Sequence, residues 1–168
     1  MPSRPSAYFQ FWTHFDDHAQ RALDGGPRLD LIDKMTPAQR RRLERELLHR
    51  LNLDPARDGW VVDTLGALGS TEAIPQLRQL TQGPVAEDAA IALWRISKWP
   101  GAVRVLSRVV KAEPGREDRR PPNLTRRLEA ARFLAEIDSP TARETLRQIA
   151  YGEAAPYRLQ RAVTALLV

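Results

Sequence analysis

The stretch "ALGSTEAIPQLRQL", Ala67–Leu80, decides the fold. Gly69 and Ser70 break an apolar run, and Ile74, Leu77 and Leu80 then recur at the spacing of a helix with one buried face. Upstream, Trp60, Val61, Leu65 and Leu68 share a helical face of their own. The pattern predicts two short helices folded back on each other across Gly69-Ser70. The first covers roughly Asp58 to Leu68 and the second starts near Glu72. Pro75 lies close enough to that start to forfeit about one backbone bond.

The phrase returns twice, as "ALWRISKWPGAVRVLSRV" (Ala92–Val109) and "FLAEIDSPTARETLRQIA" (Phe133–Ala150). Aligned on the central leucine of each second helix, Leu65, Leu93 and Leu134 correspond, as do Leu77, Leu106 and Leu146. The period is 28 residues from Leu65 to Leu93 and 41 from Leu93 to Leu134. The excess falls in the charged, Pro-rich segment 113–123, "EPGREDRRPPN", which reads as an insertion loop. Predicted helices run from about Val85 to Lys98, Leu124 to Ile137, Thr141 to Ala150 and Ala155 to Leu167, with one carrying Val103, Leu106, Val109 and Val110 between the first two. No period-two run of β-branched residues suggests a strand.

The first third has a different texture. "SAYFQFWTHFDDHAQRAL" reads as a helix with Tyr8, Phe11, Trp12 and Phe15 on one side, and "RLDLIDKM" as a short helical turn. "TPAQRRRLERELLHRL" opens with Thr36 as N-cap, Pro37 at the first helical position and Gln39 three residues on, a capping box. Leu43, Leu47, Leu48 and Leu51 form its stripe. The expected organisation is a helical capping segment over 1–53 and a repeat stack over 54–168, packed as one compact unit, because an open repeat end would expose core.

Composition bounds the function. The 168 residues are 42% hydrophobic and 28% charged, the balance of a soluble globular chain. There is no cysteine, which removes disulfides, thiolate metal sites and cysteine nucleophiles. The opening residues lack the apolar core of a signal peptide, and no window approaches a membrane span, so a cytoplasmic protein is expected. The net charge of +5 resides in Gly101–Arg132, where nine basic residues face four acidic ones. A local basic zone of this kind points to an anionic partner.

Chemistry is sparse. His14 and His18 stand at i, i+4, a spacing that can hold a metal, but His49 is the only other histidine and no HExxH arrangement exists. No phosphate-binding glycine loop or nucleophile elbow is present. The reading is therefore no catalytic residue, no cofactor and no metal.

The three phrases resemble HEAT repeats, in particular the short bacterial kind, over about Asp58 to Leu167. The resemblance implies an all-α, right-handed α-solenoid of about three helical hairpins whose second helices line a concave face. Positions beside the central leucine then form rows: Arg78, Ser107 and Arg147; Gln79, Arg108 and Gln148; Pro75, Arg104 and Glu144; Gln82, Lys111 and Tyr151. The expected contact residues are Arg78, Gln79, Gln82, Arg104, Arg108, Lys111, Arg147, Gln148 and Tyr151, since Arg and Tyr anchor protein interfaces. The expected function is a protein-binding module of the bacterial immunity or antitoxin type, which occludes a toxin or enzyme with an acidic or neutral surface. The alternatives are a general scaffold or a nucleic-acid binder. HEAT-like DNA glycosylases place Trp and Asp near a damaged base, and Trp60, Trp94, Trp99, Asp63 and Asp88 are the matching residue types here. HEAT-like metal hydroxylases repeat a His-Glu pair, and this chain has none. No membrane partner is expected.

Overall fold

A computed structural model describes residues 5–17, 26–54, 59–112, 124–152 and 155–167. The fold is all-α, of the α-solenoid class, and the described residues contain no strand. In chain order the helices are α1 (Ala7–Asp16), α2 (Pro37–Leu53), α3 (Gly59–Leu68), α4 (Ile74–Leu80), α5 (Ala86–Ser97), α6 (Gly101–Lys111), α7 (Leu124–Ile137), α8 (Pro140–Tyr151) and α9 (Tyr157–Leu166). Single 3-10 turns lie at Leu29–Leu31 and Thr71–Ala73. The chain divides into two compact units, Met1–Lys98 and Trp99–Val168, between the two helices of the middle hairpin.

The repeat register is visible in the core. Leu65, Leu93 and Leu134 are fully buried, and so are Leu77 and Leu106, with Leu146 nearly so. In the first unit α3 packs on α5 and α4 on α5; in the second α6 packs on α7 and α8 on α9. Between α3 and α5 the contact runs through small residues. A Cβ built on Gly66 would stand 2.8 Å from the Ala92 Cα, so the two backbones approach more closely than a side chain at 66 permits.

Each first helix stops in the same way. Gly69, Lys98 and Asp138, equivalent in the three phrases, all adopt left-handed backbone, with φ of 70°, 52° and 50°. At Gly69 the amide of Ser70 reaches the Leu65 carbonyl at 3.1 Å and the amide of Gly69 reaches Gly66 at 3.2 Å, a Schellman stop. Lys98 and Asp138 use the simpler single bond, to Trp94 at 2.9 Å and Leu134 at 3.2 Å. Left-handed geometry costs an L residue about 1–2 kcal/mol, so the conformation is imposed at Lys98 and Asp138 by the turn and relaxed at Gly69. Asp138 is further held by Arg143, at 2.5 and 2.6 Å.

The second helix of the first hairpin departs from expectation. A 3-10 turn at Thr71–Ala73 precedes it and the α-helix begins at Ile74, which puts Pro75 in the first turn, where no backbone bond is forfeited. Thr36 and Gln39 form the reciprocal capping box that their spacing predicts, with bonds of 2.9 and 3.3 Å. Ile74, Leu80 and Ile96 are half-buried rather than core, because they lie at the edges of their apolar stripes. The 113–123 segment and His18 lie outside the described residues.

Candidate functional site

The nine residues expected to meet a partner are all solvent-exposed. Arg78, Gln79 and Gln82 lie on and just after α4, in the first unit. The other six lie in the second unit, on α6 and α8, which pack against each other. The hydroxyls of Ser107 and Thr145 meet between these two helices at 3.0 Å. Arg104 and Lys111 sit one turn before and one turn after Ser107, and Gln148 sits one turn after Thr145, so α6 and α8 bring these side chains to one neighbourhood. Gln148 donates to Glu144 at 2.9 Å. Arg104, Lys111 and Arg147 form no ion pair with any described residue. Tyr151, at the end of α8, is 74% exposed, and Tyr157, at the start of α9, is 73% exposed. Tyr157 was missed in the sequence because it falls outside the repeated phrase.

One cation of the basic zone is not on the surface. Arg127 is only 7% exposed, and its Nε and a terminal nitrogen donate to the Val110 carbonyl at 3.0 and 2.8 Å. Its charge meets the C-terminal end of α6, where carbonyls concentrate negative potential. Burial lowers its pKa from the usual guanidinium range, but arginine stays charged at any working pH. Arg127 is therefore a clasp between α6 and α7. Its place beside Ala130, Ala131 and Leu134 on the buried face of α7 was legible from helical period.

A second feature lies wholly in the first unit and was not anticipated. An open cleft of about 490 Å³ runs between α1 and α2. Phe11 and Phe15 anchor α1 in the core at full burial, which leaves Tyr8 and Trp12 half-buried along the rim. Arg42 lies over the Tyr8 ring at 4.9 Å, and Arg50 over the Trp12 ring at 4.3 Å. Glu46 ties the first pair, accepting from the Tyr8 hydroxyl at 2.5 Å and from Arg42 Nε at 3.0 Å. Asp16 ties the second, accepting from Arg50 at 2.9 and 3.4 Å. Burial and the Glu46 carboxylate raise the Tyr8 pKa. At Glu46 burial pushes the pKa up, but donation from Tyr8 and Arg42 outweighs it and the net shift is downward. The indole N–H of Trp12 is buried without a well-aligned acceptor, yet close enough to favour the Glu46 carboxylate. Arg45 and His49, also in the lining, make no hydrogen bond or ion pair with any described residue. The signal for this cleft was present as Tyr8/Trp12 and Arg42/Arg45/His49 at helical spacing, but only the pairing of α1 with α2 turns two stripes into one site.

The residue types that suggested other chemistry have local duties. His14 stacks on Trp60 at 5.6 Å with planes 14° apart, and Trp60 also meets the edge of Phe15. Asp63 pairs with Arg95 at 3.7 Å. Lys98 covers the Trp94 ring at 5.2 Å, and the Trp99 ring packs so closely on Gly101 that a Cβ there would overlap it. Among the described residues no group of three or more His, Cys, Asp or Glu is placed to hold a metal ion. No helix among them is long and apolar enough to cross a membrane.

The family model of the PBS lyase HEAT-like repeat matches residues 59–83, which are α3, the turn at Gly69-Ser70, α4 and the residues just beyond. No curated protein and no solved structure gives a significant match to the chain. A repeat of this kind suggests a protein-interaction or scaffold module. Residues 59–83 are thus a HEAT-like repeat, the two hairpins that follow carry the same buried leucines, and the described residues are helical throughout their regular structure, which supports a HEAT-like repeat protein.

Proposed function

We propose that the chain is a non-enzymatic protein-binding module that occludes a toxin or enzyme partner, in the manner of an immunity or antitoxin-type inhibitor. The observation that carries this reading is the exposed basic surface of α6 and α8. There Arg104, Lys111 and Arg147 stand without ion-pair partners among the described residues while the apolar positions of the same helices are buried. Arginine and tyrosine at such positions are favoured interface anchors. A basic face suits a partner with an acidic or neutral surface, and Arg78, Gln79 and Gln82 on the first unit offer a second contact region. The test is co-expression with the toxin candidate encoded beside this chain's gene. Protection of growth by the wild type, lost in an Arg104→Glu/Lys111→Glu variant, is expected. Growth inhibition that is the same with and without the chain would refute the inhibitor reading and leave a general adaptor.

The basic stripe on α6 also favours a second reading, nucleic-acid binding. It predicts duplex affinity that falls steeply with salt and drops in Arg104→Ala or Arg108→Ala. Absence of any duplex shift at low salt removes it.

A further inference from the structure

We propose that the cleft between α1 and α2 is a docking site for an acidic peptide segment of a protein partner. This inference rests on the protein-binding reading but uses a different surface, in the Met1–Lys98 unit.

The cleft is preorganised for anions. Its lining carries three arginines and one histidine; Glu46 and Asp16 pair with Arg42 and Arg50, and Arg45 forms no ion pair with any described residue. Glu46 is already engaged by Tyr8 and Arg42, so it does not neutralise the rest. Arg42 and Arg50 are fixed by their carboxylates and by the rings beneath them, so little side-chain entropy remains to be lost on binding. Arg45 and His49 stand on the same face of α2, one turn apart, with their donors uncommitted. A carboxylate entering between them meets a guanidinium fork and an imidazole, and the guanidinium favours two-point recognition of a carboxylate.

The same geometry selects the occupant. Single-stranded nucleic acid binds chiefly by stacking bases on open aromatic faces. Here the Tyr8 and Trp12 rings each carry an arginine over one face and are half-buried in the protein. What remains open is a volume of about 490 Å³, within the roughly 300–1,000 Å³ range of ligand pockets. That suits a few residues of chain bearing an acidic side chain beside an aliphatic one.

The test is fluorescence anisotropy with a labelled peptide of alternating glutamate and leucine, at pH 6 and 50 mM salt, on the full chain. Binding is expected, weakened at least tenfold by Arg45→Glu and by His49→Glu. Both positions are exposed, so folding is expected to persist, checked by circular dichroism. An Arg104→Glu/Lys111→Glu variant, altered only on α6, is expected to bind as the wild type does. No binding by the wild type, equal binding by Arg45→Glu, or equal loss with the α6 variant overturns the site. Displacement of the peptide by an equal concentration of oligothymidylate also overturns it, in favour of a nucleic-acid groove. Failure of the co-expression test with a positive peptide result would sink the inhibitor reading alone; the reverse would sink the cleft alone.

Discussion

Arginines in the two compact units have opposite fates. In the first unit, Arg42 and Arg50 are each laid over an aromatic ring and tied by a carboxylate. In the second unit, Arg104 and Arg147 project from their helices without an ion pair to any described residue, while Arg127 is buried against a helix end. Residue type is the same in all five. The difference is what surrounds each one: aromatic faces and Asp16 from α1 with Glu46 from α2 itself, hydroxyls between α6 and α8, a carbonyl at the end of α6. Net charge along the sequence therefore overstates the surface available to a partner in one place and misses a prepared anion site in another.

That contrast can be broken by substitution. The largest effect is expected at Phe15→Ala, which empties the core beneath α1 and costs about 3–5 kcal/mol in chemical denaturation. It also releases Trp60 and Trp12, so tryptophan emission should shift to the red before the main transition. Arg127→Ala comes next, at about 2–3 kcal/mol, because it leaves the Val110 carbonyl buried without its charged donor. A cost near zero would show that Arg127 is a surface cation like Arg104.

Smaller again is the pH effect of Glu46. Its pKa is lowered in the folded state, so its contribution is present above the unfolded value of about 4.3 and is lost as pH falls through the folded value. Melting temperature measured from pH 6 down to pH 3 should fall less steeply in Glu46→Gln than in the wild type. Parallel curves would mean that the Tyr8–Glu46–Arg42 cluster carries no folding energy. The smallest change in stability is expected for Arg104→Ala with Lys111→Ala, within about 0.5 kcal/mol, since neither side chain has an ion-pair partner among the described residues.

Much of the fold was legible because it is periodic. Leu65, Leu93 and Leu134 announce the repeat, and Thr36-Pro37 with Gln39 announces a helix start from local chemistry alone. The positive φ at Lys98 and Asp138 was not legible, since neither residue favours it; only alignment with Gly69 marks those positions as the same stop. The site was legible in part. Helical period identified which residues of the second helices escape burial, and all nine are exposed. The cleft was hidden because its two stripes lie on helices separated by twenty residues of chain, and nothing local to either encodes that Tyr8 meets Glu46.

The central claim is that the exposed basic face of α6 and α8 binds protein. Affinity capture from native lysate, with nuclease treatment and quantitative mass spectrometry, tests it when the wild type is compared with Arg104→Glu/Lys111→Glu. The account predicts one or a few proteins retained by the wild type after nuclease and reduced at least tenfold by the variant. The same proteins at the same levels on both baits, or an enrichment abolished by nuclease, would contradict it.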